Sequence, residues 1–313
     1  MNETRIIKLQ GEAGRIDKIL PEYFPEMSRS TIQKAIQNDL ILVDGQIVKA
    51  NYKVKGFEEI TCLPIEEKIE ETLPLPIGQK IPLSIIYEDD DIIVINKQKG
   101  LVVHPSKGHP DQTLVNGLIY YFGNNLSTMN NAHIRPGIVH RIDKDTTGLL
   151  VVAKNNQSHE HLSKQLEDHS MYRQYIALVH GNFNEPNGTI NIPLARNPKN
   201  RLKYTGQEEG KEAITHFKVL ENFDEISLIQ CRLETGRTHQ IRAHLEFIGH
   251  PIVGDPVYRQ GIHQYHHPLT HLDDGQLLHA KNLTFIHPKS HETLKFEAII
   301  PSSFQSVIDE LKA

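Results

Sequence analysis

From Ser84 onward the chain is a succession of short β-rich runs, and this pattern restricts the possible folds more than any other feature of the sequence. "LSIIYEDDDIIVINKQKG" holds two such runs around an acidic turn. "GLLVVAKN", "YIALVHG", "GTINIPLA", "AITHFKVL", "ISLIQCRLE", "LLHAKNLTFI" and "TLKFEAII" follow, separated by turn residues. Runs enriched in β-branched and aromatic residues read as strands. Helical spacing interrupts them only in "QSHEHLSKQLEDH", "THQIRAHLEFIG" and the terminal "SSFQSVIDELKA". Strands that follow one another without a regular intervening helix do not build a doubly wound parallel sheet. They predict an α+β domain over residues 84–313 with a mixed, mostly antiparallel sheet.

Residues 13–65 have a different pattern. Ile16, Ile19 and Leu20 have helical spacing, and "SRSTIQKAIQNDL" offers Ser28 or Ser30 as an N-cap before Ile32, Ala35 and Ile36 on one face. "ILVDGQIVK" places Asp44-Gly45 between two β-rich runs, a strong hairpin signal. The expectation is a small α/β domain with two short helices and a small sheet. Residues 66–83 fall in "IEEKIEETLPLPIGQKIPL", whose paired glutamates and prolines read as a solvated linker.

A chain of 313 residues accommodates two such domains, and 38% hydrophobic against 23% charged residues supports packed cores. No apolar run reaches the roughly 18–20 residues of a membrane span. "MNETRIIKLQGEAGR" lacks the apolar centre of a signal peptide. Cys62 and Cys231 are far apart and have no CxxC companion, which argues against a disulfide framework or zinc finger and for a reducing cytoplasm. A net charge of −5 gives no global support for nucleic-acid binding, so any such role needs a local basic arrangement.

The chemistry concentrates in "PGIVHRIDKDTTGLLVVAK", where His140, Arg141, Asp143, Lys144, Asp145, Thr146 and Thr147 lie between apolar flanks that read as two strands. One reading is the DxDxT signature of a magnesium-dependent aspartyl-phosphate phosphatase. It needs an apolar strand before the first aspartate, where this chain has His140 and Arg141, and a convincing downstream acidic pair; Asp273 and Asp274 in "HLDDGQ" stand in a polar, loop-like setting. His263, His266, His267 and His271 suggest a metal site, but one short cluster without carboxylates or cysteines is poor evidence, and no metal ligand is assigned.

Three separated segments support another reading. "HRIDKDTTG", "YRQYIALVHG" and "ETGRTHQIRAHL", in this order, resemble the three motifs of the RluA/RluD family of RNA pseudouridine synthases; "VVHPSKG", "NIPLARNPKNR" and "GHPIVGDPVY" agree with it. "GRIDKILPEYFPEMSRSTIQKAI…ILVDGQIV" resembles the RNA-binding module named for ribosomal protein S-four, and the whole is most similar to the RluD-like branch. The resemblance implies an isomerase that breaks the glycosidic bond of a uridine in RNA, turns the base and rejoins it through carbon-5, with no cofactor. It implies large-subunit ribosomal RNA or a pre-ribosomal particle as partner. A non-catalytic RNA-binding or ribosome-assembly factor is the other reading.

The resemblance also carries roles. Asp143 is implied as the catalytic carboxylate, acting as nucleophile or as base; Asp145 is left as a turn residue. Arg242 is implied as its ionic partner. Tyr175 is implied to stack on the uracil. Arg141 is implied to enter the RNA stack when the base leaves it. His140 reads as structural, and Thr146-Thr147-Gly148 as the turn back into "LLVVAK"; Thr147 stands where many relatives have Ser. In the front module Arg15, Lys18, Arg29 and Lys34 are assigned to RNA phosphates.

Overall fold

The structure, a computed structural model, describes residues 4–25, 27, 29–64, 75–106, 108–123, 125–129, 135–262, 269 and 275–313. It divides into two units, Met1–Thr72 and Leu73–Ala313.

In the first unit, β1 (Arg5–Lys8) and β2 (Gly14–Arg15) precede α1 (Ile16–Tyr23) and α2 (Arg29–Gln37). β3 (Ile41–Val43), β4 (Gln46–Ile47), β5 (Lys53–Val54) and β6 (Glu59–Cys62) follow. The strands form two small sheets rather than one, β1-β6-β3-β4 and the ribbon β2-β5. Ile16, Leu20, Ile32, Ala35 and Ile36 bury the apolar faces of both helices against Ile41, Val43, Ile60 and Cys62. Asp44 (φ 47°) and Gly45 (φ 73°) form the two-residue turn between β3 and β4. Both lie in the left-handed region that a primed hairpin turn requires. Ser30 lies inside α2 rather than capping it, and Ser28 is outside the described residues.

The second unit opens with β7 (Ile85–Glu88), β8 (Ile92–Lys97), α3 (Leu114–Phe122), β9 (Thr147–Ala153), α4 (Asn156–Glu167) and β10 (Tyr172–His180). Next are β11 (Asn187–Asn191), β12 (Leu194–Arg196), β13 (Tyr204–Gly206), β14 (Ile214–Asn222) and β15 (Ile226–Leu233). It closes with α5 (Gln240–Phe247), β16 (Leu278–Ile286), β17 (Thr293–Glu297) and α6 (Ser302–Lys312). One mixed sheet has the order β11-β14-β15-β10-β16-β9-β8-β7, with β17 on β16; β16–β9 is its parallel pair, and β12-β13 form a separate ribbon. This is the α+β class expected from the strand pattern. Alternation puts Tyr175, Ala177 and Val179 into one core, and Ile176 and Leu178 into another beneath Phe304, Val307 and Ile308 of α6.

Three local expectations change. Helix α3 was not anticipated; "LVNGLIYYF" is apolar on most sides, and a helix apolar all round carries little amphipathic signal. Residues 77–81, read as linker, pack on it: the Gln79 N–H donates to the Asn116 carbonyl (2.9 Å), the Asn116 side chain donates to the Ile77 carbonyl (2.8 Å), and Ile81 is buried. The flank before the polar knot is not a strand; Ile138 makes a lone bridge to Val152.

After the knot, Thr147 and Gly148 already belong to β9, and the turn lies at Lys144-Asp145. Gly148 has φ 109°, and a Cβ there would collide with the Ala280 backbone of β16. Gly148→Ala is therefore expected to cost about 2–5 kcal/mol, from backbone strain plus overpacking. A urea-midpoint measurement checks this; an unchanged midpoint contradicts it.

Candidate active site

The knot is held from several sides. Lys97, fully buried at the end of β8, donates its three N–H bonds to the carbonyls of Gln98 (2.8 Å), Leu101 (2.9 Å) and Lys144 (2.8 Å). Burial pulls its pKa down to about 7, while the charges of Asp145 and Asp143 oppose the shift. The Gln276 amide donates to Thr146 Oγ1 (3.0 Å), and Thr147 Oγ1 meets His279 Nδ1 (2.8 Å). Val151 N–H donates to His140 Nε2 (3.2 Å), the structural hydrogen bond expected of that histidine. Asp143 thus stands on a loop whose neighbours are all fixed.

Arg242, near the start of α5, donates from Nη1 to Asp143 Oδ2 at 2.9 Å. Its other edge forks onto Asp255, Nε to Oδ2 at 2.6 Å and Nη2 to Oδ1 at 2.9 Å. Asp255 Oδ1 also accepts the backbone N–H of Val257 and Tyr258. The guanidinium lies over the Tyr258 ring, 4.9 Å from its centroid. Burial opposes the charge on Arg242, but its hydrogen bonds to Asp255 and the charge of Asp143 prevail and raise its pKa. The arginine is clamped on one side and presents a fixed donor to Asp143 on the other.

Helix α5 begins at Gln240, two residues later than its sequence pattern suggests, because His239 adopts a left-handed conformation (φ 56°) at the N-cap. This turn brings His239 Nε2 to 3.9 Å from Asp143 Oδ1. Tyr258 OH accepts the Tyr204 backbone N–H (2.8 Å) and lies 3.1 Å from His239 Nδ1. Burial lowers the His239 pKa, against the opposing charge of Asp143.

Arg141 donates from Nη1 to His104 Nε2 at 2.9 Å, and His104 Nδ1 lies 3.1 Å from the Pro105 carbonyl. The carbonyl can only accept, so Nδ1 carries the proton and Nε2 is free to accept from Arg141. Burial pushes His104 down to about 4, which keeps that acceptor available at neutral pH. Tyr175 is buried on β10, its hydroxyl pKa raised by burial, lowered by the Arg173 charge and raised by that of Asp143. Asp143, Arg141, Tyr175 and Arg242 line one pocket together with Arg173 and His239.

The front-unit cations lie in the other unit. Arg15 and Arg29 both bind buried Asp17, at 2.9 and 2.7 Å, and Gln33 adds a third donor; Lys18 is exposed. Asp17, Lys97, His104, Asp255 and Tyr258 went unassigned from sequence, although His104 and the last two sit in short segments that fitted the resemblance. His263, His266, His267, His271, Asp273 and Asp274 lie outside the described residues. Among the described residues, Asp89, Asp91 and His287 bring metal-type ligand atoms within 4.8 Å of one another. Asp89 takes the N–H groups of Asp91 and Ile92 and the Tyr87 hydroxyl, its Oδ2 lies 2.9 Å from His287 Nε2, and Asp91 Oδ1 takes Asn155 and Ser158. No described helix is long and apolar enough to cross a membrane.

Residues 91–247 match the family model described as RNA pseudouridylate synthase, and residues 14–60 match the S4 domain. A Bacillus subtilis protein described as an uncharacterized RNA pseudouridine synthase is 44% identical, over 95% of this chain and 94% of its own length. The chain belongs to the RNA pseudouridylate synthase family. The ribosomal large subunit pseudouridine synthase D of Haemophilus ducreyi is 41% identical, over 95% of this chain and 91% of its own. The solved structure of human RNA pseudouridylate synthase domain containing 1 superimposes with a TM-score of 0.55 at 24% identity, over 75% of this chain and 97% of that one, and supports the fold. Family membership removes the phosphatase reading of Asp143 and Asp145.

In an RNA pseudouridylate synthase the target base must leave its stack before its glycosidic bond is reached. Replacing His104 by Phe keeps the bulk but removes the acceptor that holds Arg141. Its kcat/KM for pseudouridine formation is expected to fall about 10–100-fold, and adding Arg141→Ala is expected to cost little more, because the two act as one unit. A double-mutant cycle checks this; additive losses contradict it.

Acid sensitivity follows from the same burial. His104 and His279 are both pushed down to about 4 by burial. Free histidine titrates near 6.5, so the fold favours the neutral ring. That contribution is complete above about pH 6.5 and is lost as the pH falls toward 4, on the order of 2 kcal/mol for each residue. Denaturant midpoints between pH 7.5 and 4 measure the decline.

Proposed function

We propose that this RNA pseudouridine synthase acts on specific uridines of large-subunit ribosomal RNA, free or in a pre-ribosomal particle, in the cytoplasm. The observation that carries the assignment of roles is the 2.9 Å contact between Asp143 and an arginine already clamped by Asp255, in a pocket also lined by Tyr175 and Arg141. The names of relatives about 40% identical over nearly the whole chain point to the large subunit. A non-catalytic assembly factor has no use for a carboxylate held in this way.

In this reading Asp143 supplies the reactive carboxylate, either as nucleophile or as base on the sugar. Arg242 holds and aims it, Tyr175 stacks on the uracil, and Arg141 fills the space the base leaves. The S4 domain, with Arg15, Lys18, Arg29 and Lys34, adds phosphate contacts. Arg15 and Arg29 are 41% and 48% exposed at the side chain, so both reach solvent while bound to Asp17.

Tritium at uridine carbon-5 is released when that carbon bonds to the ribose. Release is expected from large-subunit ribosomal RNA transcripts or particles, and not from small-subunit RNA or transfer RNA. Release only from the latter would refute the substrate, and release from none would refute the activity. Mapping pseudouridines in the ribosomal RNA of a deletion strain identifies the positions.

A further inference from the structure

Arg173 stands two residues before Tyr175 on β10, so both side chains leave the same face of the sheet. It is 6% exposed and lines the pocket that contains Asp143. Its Nη2 donates to the Glu234 carbonyl at 3.1 Å, and its buried Nε has no hydrogen-bond partner among the described residues. No carboxylate pairs with it among those residues either; the Glu234 side chain turns to His216 and Arg232. The loop above leaves room for the guanidinium, since a Cβ on Gly236 would come within 2.7 Å of Arg173 Nη1.

A buried, unpaired cation is costly. Arg242 already faces two carboxylates, Asp143 and Asp255, and needs no further anion. Arg173 holds a positive charge with no negative partner among the described residues, in the pocket that contains Asp143 and Tyr175. The reaction supplies that partner. When the N1–C1′ bond breaks, both electrons stay on the ring, and the charge spreads to its two carbonyl oxygens. The same ring electrons later form the C5–C1′ bond, the C5 proton leaves to solvent, and N1 takes a proton back. Charge develops on the uracil whether Asp143 attacks the sugar, attacks the base or removes a sugar proton.

We propose that Arg173 is a catalytic residue that binds a carbonyl oxygen of the target uracil and stabilises the negative charge formed as the glycosidic bond breaks. The proposal rests on the uridine-isomerase reading above. Burial lowers the pKa of Arg173, and its charge acts on Tyr175 and His140, which agrees with a cation aimed into the site.

The test uses full-length protein and a ribosomal RNA substrate carrying either uridine or 5-fluorouridine at the target. Fluorine at carbon-5 makes the departing base a weaker base, so its departure depends less on Arg173. Single-turnover loss of the target nucleoside is followed in digested RNA, beside RNA affinity and melting temperature. Arg173→Gln is expected to slow reaction at uridine about 10²–10³-fold, and at 5-fluorouridine at least about ten-fold less. RNA affinity should stay within about three-fold, and Arg173→Lys should recover part of the rate. Equal losses on both substrates would overturn the proposal. So would a loss of affinity at unchanged rate, which marks a phosphate contact, or a loss for both variants that tracks melting temperature, which marks a structural role. Wild-type inactivity on both substrates would instead overturn the isomerase reading, and this role with it.

Discussion

Asp143→Asn is expected to lower single-turnover pseudouridine formation by about 10⁴-fold or more while leaving RNA binding within about three-fold of wild type. The substitution is nearly isosteric. The amide it introduces keeps a carbonyl oxygen for Arg242 Nη1, which in the wild type reaches Asp143 at 2.9 Å, and Arg242 keeps its fork to Asp255. Lys97, Gln276 and His279 fix neighbouring residues rather than the Asp143 side chain, so the loop has no reason to move. What disappears is the negative charge and its lone pair, which every route through this residue requires. Tritium release measured beside affinity and melting temperature separates the outcomes. Release within ten-fold of wild type would remove Asp143 from the chemistry; lost binding would make it a recognition residue.

What the sequence revealed follows the range of the interactions. The hairpin at Asp44-Gly45 and the succession of β-rich runs along the chain are local, and the residues that specify them are neighbours. Asp143, Tyr175 and Arg242 were legible only through motif resemblance, since no periodicity joins positions 143 and 242. Their supports were not legible. Asp255 and Tyr258 act on Arg242 across a loop, and His104 acts on Arg141 across 37 residues. His239 looked like the first turn of a helix, but its backbone is left-handed and its ring lies 3.9 Å from Asp143. Arg15 and Arg29 looked like free surface cations because buried Asp17, which collects both, reads as an ordinary first-turn acid.

Arg242→Met is expected to damage stability and activity through different partners, and a second substitution separates the two. Methionine removes the fork to Asp255, a carboxylate with no exposed side-chain surface, and leaves it with the backbone N–H groups of Val257 and Tyr258. Stranding one partner of a buried pair costs about 3–5 kcal/mol. Activity is expected to fall at least about 10³-fold, since Asp143 loses its fixed donor. Adding Asp255→Asn removes the stranded charge, so most of the lost stability should return while activity stays low. Arg242→Lys belongs in the same series, because an ammonium cannot fork onto Asp255 and reach Asp143 from its other edge. It should keep more stability than methionine and regain little activity. Urea midpoints and single-turnover rates on the four proteins decide the matter. If activity returns together with stability in Arg242→Met/Asp255→Asn, then Arg242 serves the fold alone and Asp143 needs no cation beside it.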